Sequence, residues 1–151
     1  MSITIKNIES ALAGESMAHI KYRYFAKIAR EEGYEDIAKH FEWTADQEIL
    51  HAWSHLQLLI GKPSTKECLE KAIAGETYEY TDMYPSFEAQ AKKEGDEVSL
   101  REFQNQILES SDHAQQFKNM LAKAELRFKA LKGVEEHHAQ EYKKILGGLH
   151  G

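Results

Sequence analysis

The chain has 151 residues, 42 % of them hydrophobic, with nine Gly, two Pro, one Cys and a net charge of −6. That length fits one domain with a real core, and the acidity, with no stripe of Lys and Arg, excludes a nucleic-acid partner. The single cysteine, Cys68, excludes a disulfide framework and cysteine-built zinc or rubredoxin-type iron sites. The lack of a signal peptide or of an apolar run near about 18 residues points to a soluble protein of a reducing, cytoplasmic compartment with no membrane partner.

The predicted elements are all helical. Ile8, Leu12, Glu15, Ala18 or His19, Tyr22 and Ala26 recur at three-four spacing and predict a first helix from about Thr4 to Glu32, ended by Gly33. A second helix is expected from about Glu35 to Ile60, with the stripe Ile37, Phe41, Thr44, Glu48, His51, His55 and Leu58. Its middle is acidic and imidazole where a core helix carries leucine. Gly61 and Pro63 stop it, and the run from Ser64 to Glu67 reads as a capping box for a third helix that Gly95 breaks. From Val98 the stripe Phe103, Ile107, Ser110, Ala114, Phe117, Leu121, Ala124, Phe128, Leu131, Glu135, His138, Tyr142, Ile145 keeps one phase. That is longer than an ordinary globular helix, and Gly133 is its expected break.

Two stretches repeat. Ala11–Gly33 reads ALAGESMAHIKYRYFAKIAREEG and Ala72–Gly95 reads AIAGETYEYTDMYPSFEAQAKKEG; a shift of 61 places puts Glu15 on Glu76. The chain is a tandem duplication of helical hairpins, spanning residues 4–61 and 64–123 of a bundle at 1–123, with a helical extension at 124–151. Glu76 and Glu79, three apart, share one helix face amid Ile73, Tyr80, Met83 and Tyr84. Carboxylates turned into such a face are costly unless a metal or a shared proton compensates them. Glu48-Ile-Leu-His51 is a Glu-x-x-His element. Four-helix bundles build carboxylate-bridged di-iron sites from a Glu on each of two helices and a Glu-x-x-His on each of the other two. Alone, a Glu-x-x-His is usually a solvated face, and a Glu in a core stripe is usually a surface residue out of phase. Four such pieces in duplicated register favour a metal, with iron or manganese suiting the oxygen-rich set better than zinc.

The segments AGES…Y…EG, ADQEILHA and AGETYEYTDMYPSF resemble the rubrerythrin family of ferritin-like di-iron proteins over residues 8–123. That resemblance implies an all-α ferritin-like four-helix bundle with two iron ions, manganese or zinc being possible substitutes. It makes Glu15, Glu48 and Glu76 iron ligands, with Glu48 and Glu76 or their partners bridging. It makes His51 a terminal imidazole and Glu79 the additional carboxylate of the family's peroxidases, and it has Tyr22 and Tyr84 line the site. Position 18, at the same shift from Glu79, is Ala.

The sequence departs from the family in three places. Glu48 and His51 lie 15 and 18 residues after Gly33; the same steps after Gly95 reach Ser110 and His113, so a serine stands where a carboxylate is expected. The tail RFKALKGVEEHHAQEYKKIL at Arg127–Leu146 resembles the family's fourth helix and carries a second Glu-x-x-His, Glu135 and His138. His113 has the better placement, Glu135 and His138 the better chemistry. Finally, no Cys-x-x-Cys exists for a rubredoxin module.

The link between the second and third helices is short. In ferritin-like bundles a long crossover joins two parallel helices. Here it would have to climb roughly 35 Å at ~1.5 Å per residue, whereas residues 61–64 extend over only about 14 Å. Either the connectivity is plain up-down or the second hairpin swaps into a partner chain. A swapped homodimer is expected, each site combining Glu15, Glu48 and His51 of one copy with Glu76, Glu79 and His113 of the other. The functional expectation is a non-haem di-iron peroxidase reducing hydrogen peroxide to water in oxidative-stress defence, with electrons from an external donor such as rubredoxin. The alternative is a ferritin-like metal-binding or iron-sequestering bundle without peroxidase turnover.

Overall fold

Five α-helices and one π-helical turn make up residues 2–148, which the computed structural model of the chain describes. They are α1 (Ile3–Glu31), α2 (Glu35–Ile60), α3 (Thr65–Tyr78), the π turn (Glu79–Met83), α4 (Tyr84–Glu94) and α5 (Glu97–Gly148). The fold class is all-α, and among the described residues there is no strand. Two compact units divide the chain, Met1–Pro63 and Ser64–Gly151.

Each unit is a helical hairpin closed by the same loop. Gly33 takes φ 88° and Gly95 φ 73°, the left-handed region that glycine enters without a Cβ clash. Tyr34 N donates to Ala29 O at 2.8 Å and Gly33 N to Arg30 O at 3.1 Å; Asp96 N donates to Ala91 O at 3.0 Å and Gly95 N to Lys92 O at 3.3 Å. Both are Schellman loops, which satisfy the last carbonyls of the preceding helix. Ser64 opens α3 with the expected capping box, its Oγ accepting from Glu67 N at 3.3 Å while Ser64 N donates to Glu67 Oε2 at 2.7 Å.

Asp96 opens α5, accepting from Val98 N at 3.2 Å and from Ser99 N at 3.0 Å. The Ser99 hydroxyl and amide hold the Asp96 carboxyl below its ordinary value of 3.8. A depressed carboxyl contributes stability that is complete above the unfolded value and lost as pH falls through the folded one. Wild type should therefore exceed Asp96→Ala in urea midpoint at pH 7, and the charged part of that gap should vanish as pH falls below about 3.8. A gap independent of pH would mean that the carboxylate charge contributes nothing.

In the first unit the seam between α1 and α2 is built of alanines. Ala26, Ala29, Ala38, Ala45 and Ala52 are buried, with Phe41 packed against the first three. The seam of α2 runs through Ala38, Phe41, Ala45, Glu48, Ala52 and His55, with Ala38, Ala45 and Ala52 each one residue past the predicted Ile37, Thr44 and His51. Ile37 is 51 % exposed and Leu58 67 %. Only methyl-sized side chains fit where the two backbones approach closely, so the bulkier residues are displaced outward. A trio of rings, Tyr22, Phe25 and Phe41, closes the loop end, with centroid separations of 5.6 to 6.3 Å.

The second unit repeats this with α3, the π turn and α4 packed on α5. Its trio is Tyr84, Phe87 and Phe103, again 5.6 to 6.2 Å apart, each ring 62 places after its counterpart. Ala91 and Ala114 are buried at the seam, as is Ser110. The expected break at Gly133 does not occur: α5 runs through it unbroken, and the positive-φ glycines of the described residues are Gly33, Gly61 and Gly95. One unpunctuated glycine costs a helix only about 1 kcal/mol, which the neighbouring turns absorb. The stripe of α5 is half-buried as far as Ala124. Beyond it Leu131, Val134, Tyr142 and Ile145 stand exposed.

Candidate metal centre

In the first unit Glu15, near the middle of α1, faces Glu48 and His51 on α2. His51 Nδ1 lies 3.2 Å from Glu48 Oε2 and 3.9 Å from Glu15 Oε2. One donor atom from each of the three residues falls within 4.8 Å of the others. Three elements fix this geometry: the three-residue step of Glu48 and His51, the alanine seam, and His19. The His19 ring, one turn beyond Glu15, shares a 2.7 Å hydrogen bond between its Nδ1 and the Ala45 carbonyl oxygen.

The charges show what the group lacks. Glu48 pushes the Glu15 carboxyl up by hydrogen bonding with it, aided by desolvation, while that same bond holds Glu48 down. Two carboxylates so close cannot both carry charge cheaply. A divalent cation between them would offset both charges, and an imidazole beside two carboxylates suits iron or manganese.

The second unit holds the counterpart set. His113 Nδ1 lies 3.4 Å from Glu76 Oε2 without the alignment of a hydrogen bond, and that buried oxygen has no hydrogen-bond partner. A buried carboxylate oxygen left unsatisfied is costly, and a cation would satisfy it. Glu79 lies in the π turn, where its Oε2 accepts a 3.0 Å hydrogen bond from the Ser110 hydroxyl. Burial, then the Glu79 charge, push the Tyr84 phenol up, so it stays protonated as a donor. Tyr22 is half-buried on α1 within its ring trio.

Glu135 and His138 stand exposed on the last turns of α5. They are 25 residues past Ser110 and His113, or ~38 Å along one helix, so their own unit does not bring them to Glu76.

Two features escaped the sequence reading. One is His19, which the α1 stripe offers only as an alternative to Ala18. The other is the π turn, whose signal was present: Glu15 and Glu76 are 61 places apart, but Tyr22 and Tyr84, like Gly33 and Gly95, are 62 apart. The second copy holds one extra residue between Glu76 and Tyr84, and a π turn is the helical form that accommodates it. Ala18 is thus the counterpart of Glu79 only at the shorter offset.

Carboxylates and histidines gathered on duplicated helical hairpins define a class, the helical-bundle proteins that hold metal through Glu and His. Within it, the chain belongs to the rubrerythrin family of ferritin-like di-iron proteins, whose family model matches residues 6–121. Nigerythrin of Nitratidesulfovibrio vulgaris is 38 % identical over 128 residues, which cover 76 % of this chain and 63 % of that protein. A rubrerythrin of Porphyromonas gingivalis is 36 % identical over 137 residues, 82 % of this chain and 68 % of its own. Rubrerythrin of Nitratidesulfovibrio vulgaris is 37 % identical over 129 residues, 77 % of this chain and 68 % of its own. The chain thus spans about two thirds of the length of these relatives. No helix among the described residues is long and apolar enough to cross a membrane.

Proposed function

We propose that the chain is a non-haem di-iron peroxidase that reduces hydrogen peroxide to water in oxidative-stress defence. The convergence of Glu15, Glu48 and His51 carries this reading, and family membership supports it. Glu15, Glu48 and His51 of one copy would hold iron together with Glu76, Glu79 and His113 of a second copy, in a homodimer. Two ferrous irons would supply the two electrons that, with two protons, turn one hydrogen peroxide into two waters. The chain's own groups do the rest. Burial keeps the Tyr84 phenol protonated, so it would offer a hydrogen-bond donor to the peroxide, and Tyr22 would offer a second hydroxyl. These 151 residues contain a single cysteine, Cys68, so electrons would come from a separate module such as a rubredoxin, in a cytoplasmic setting.

Apolar surface left outside each hairpin calls for further helices, which a second copy would supply. Met17, Ile20, Tyr24 and Ile28 form a second stripe on α1, and all four are exposed. A helix apolar on more than one side belongs among several helices. The tail of α5 adds Leu131, Val134, Tyr142 and Ile145, and with them Glu135 and His138 would reach a partner chain.

One observation favours a second reading: Ser110 in place of a carboxylate leaves the set one negative charge short, which suits a metal-sequestering bundle without turnover. The ferrous-loaded protein, mixed anaerobically with hydrogen peroxide and separately with dioxygen, distinguishes them. Faster oxidation by peroxide, and no turnover with NADH alone, is the expected result. Rapid oxidation by dioxygen with indifference to peroxide would leave the sequestering reading.

A further inference from the structure

The first unit gathers three donors, whereas Glu76, Glu79 and His113 of the second unit do not draw together within the same 4.8 Å limit. Glu79 is engaged elsewhere, since its Oε2 takes the Ser110 hydroxyl at 3.0 Å. Ser110 is 3 % exposed and the one polar residue buried to that degree among those described. A serine buried on a helix could have satisfied itself by donating to the carbonyl four residues earlier; this one reaches across to the π turn instead. It also occupies the position 15 residues after Gly95 that Glu48 occupies after Gly33. The hydroxyl thus stands where a carboxylate would repel Glu79, and bonds it.

We infer that Ser110 is a positioning residue for Glu79: its hydroxyl holds one carboxylate oxygen and leaves the other free to bind metal, so that the π-turn carboxylate fills the place of the carboxylate that α5 lacks. Carboxylates that bind metal are commonly held by a further hydrogen bond, and removing such a partner costs about tenfold to a hundredfold in metal affinity. The second unit then supplies Glu76, Glu79 and His113 as the first supplies Glu15, Glu48 and His51. Each unit gives two carboxylates and one imidazole, although the second carboxylate comes from a different element in each. The inference rests on the metal reading above.

The test is anaerobic titration of the full chain with ferrous iron against a competing chelator, for wild type, Ser110→Ala, Ser110→Thr, Glu79→Ala and the double variant Ser110→Ala/Glu79→Ala. Ser110→Ala should bind its weaker iron about tenfold less tightly, with the melting temperature of the metal-free protein little changed. Ser110→Thr, which keeps the hydroxyl, should restore affinity. The double variant should bind no worse than Glu79→Ala alone, because a residue acting only through Glu79 has nothing left to act on. Wild-type affinity in Ser110→Ala, or additive losses in the double variant, would overturn this role for Ser110. Failure of the wild type itself to bind iron would instead overturn the metal reading, and this role with it.

Discussion

Glu48→Ala should abolish iron binding at one position of each centre and weaken it at the other. Glu48 does two things at once. It faces the Glu15 carboxyl, whose pKa it pushes up, and lies 3.2 Å from His51 Nδ1, so its removal leaves an imidazole and a single carboxylate on the first unit. A site of fixed geometry loses far more from a missing carboxylate than from a misplaced one, since the charge that offsets the cation goes with it. Iron per chain, measured after anaerobic loading and desalting, should fall to half the wild-type value or less. The helices should survive: with Glu48 gone, Glu15 no longer meets a second carboxylate, so the metal-free variant should melt no lower than metal-free wild type. Retention of full iron content in Glu48→Ala would remove the first unit from the centre.

Truncation after Lys123 should have the second largest effect, on assembly. The full chain should scatter light as a dimer, at twice its 17.3 kDa. The tail removed would carry Leu131, Val134, Tyr142 and Ile145, all exposed in the single chain. Burying each such side chain is worth about 1.5 kcal/mol or more, and every 1.4 kcal/mol is about a factor of ten in a dissociation constant. If a second copy covers even half of them, the truncated chain should dimerise on the order of a hundredfold or more weakly. Iron content decides the rest. A truncated dimer that binds as much iron as the full chain excludes Glu135 and His138 from the centre, and a full chain that scatters as a monomer excludes the exchange of hairpins.

The hairpins were legible because their punctuation is local. Gly33 and Gly95 end helices by a glycine-specific conformation, and Ser64 with Glu67 starts one by a pair of hydrogen bonds four residues wide. The Glu15, Glu48 and His51 group was legible because a three-residue step and a repeated stretch both pointed to it. The seam of α2 was not, because Ile37 and Leu58 satisfy the three-four periodicity as well as the alanines do. The close approach of two helices selects alanine instead. The bond between Ser110 and Glu79 lay beyond any helical wheel, because the π turn rotates Glu79 relative to an α-helical register; only the change of offset from 61 to 62 within the repeat marks it. The length of α5 was half legible: its phase runs through to Ile145, but Gly133 reads as a break although one glycine costs a helix too little to end it.

A centre shared between two copies has one direct test. Chains bearing Glu48→Ala and chains bearing Glu76→Ala, each with a different affinity tag, are produced together, and the mixed dimer is isolated through both tags. In an exchanged dimer both lesions fall in one centre and the other centre is intact, so the mixed dimer should bind half the iron of wild type, while each parent homodimer lacks an intact centre. Mixed dimers that bind no more iron than the parent homodimers would contradict the shared di-iron centre.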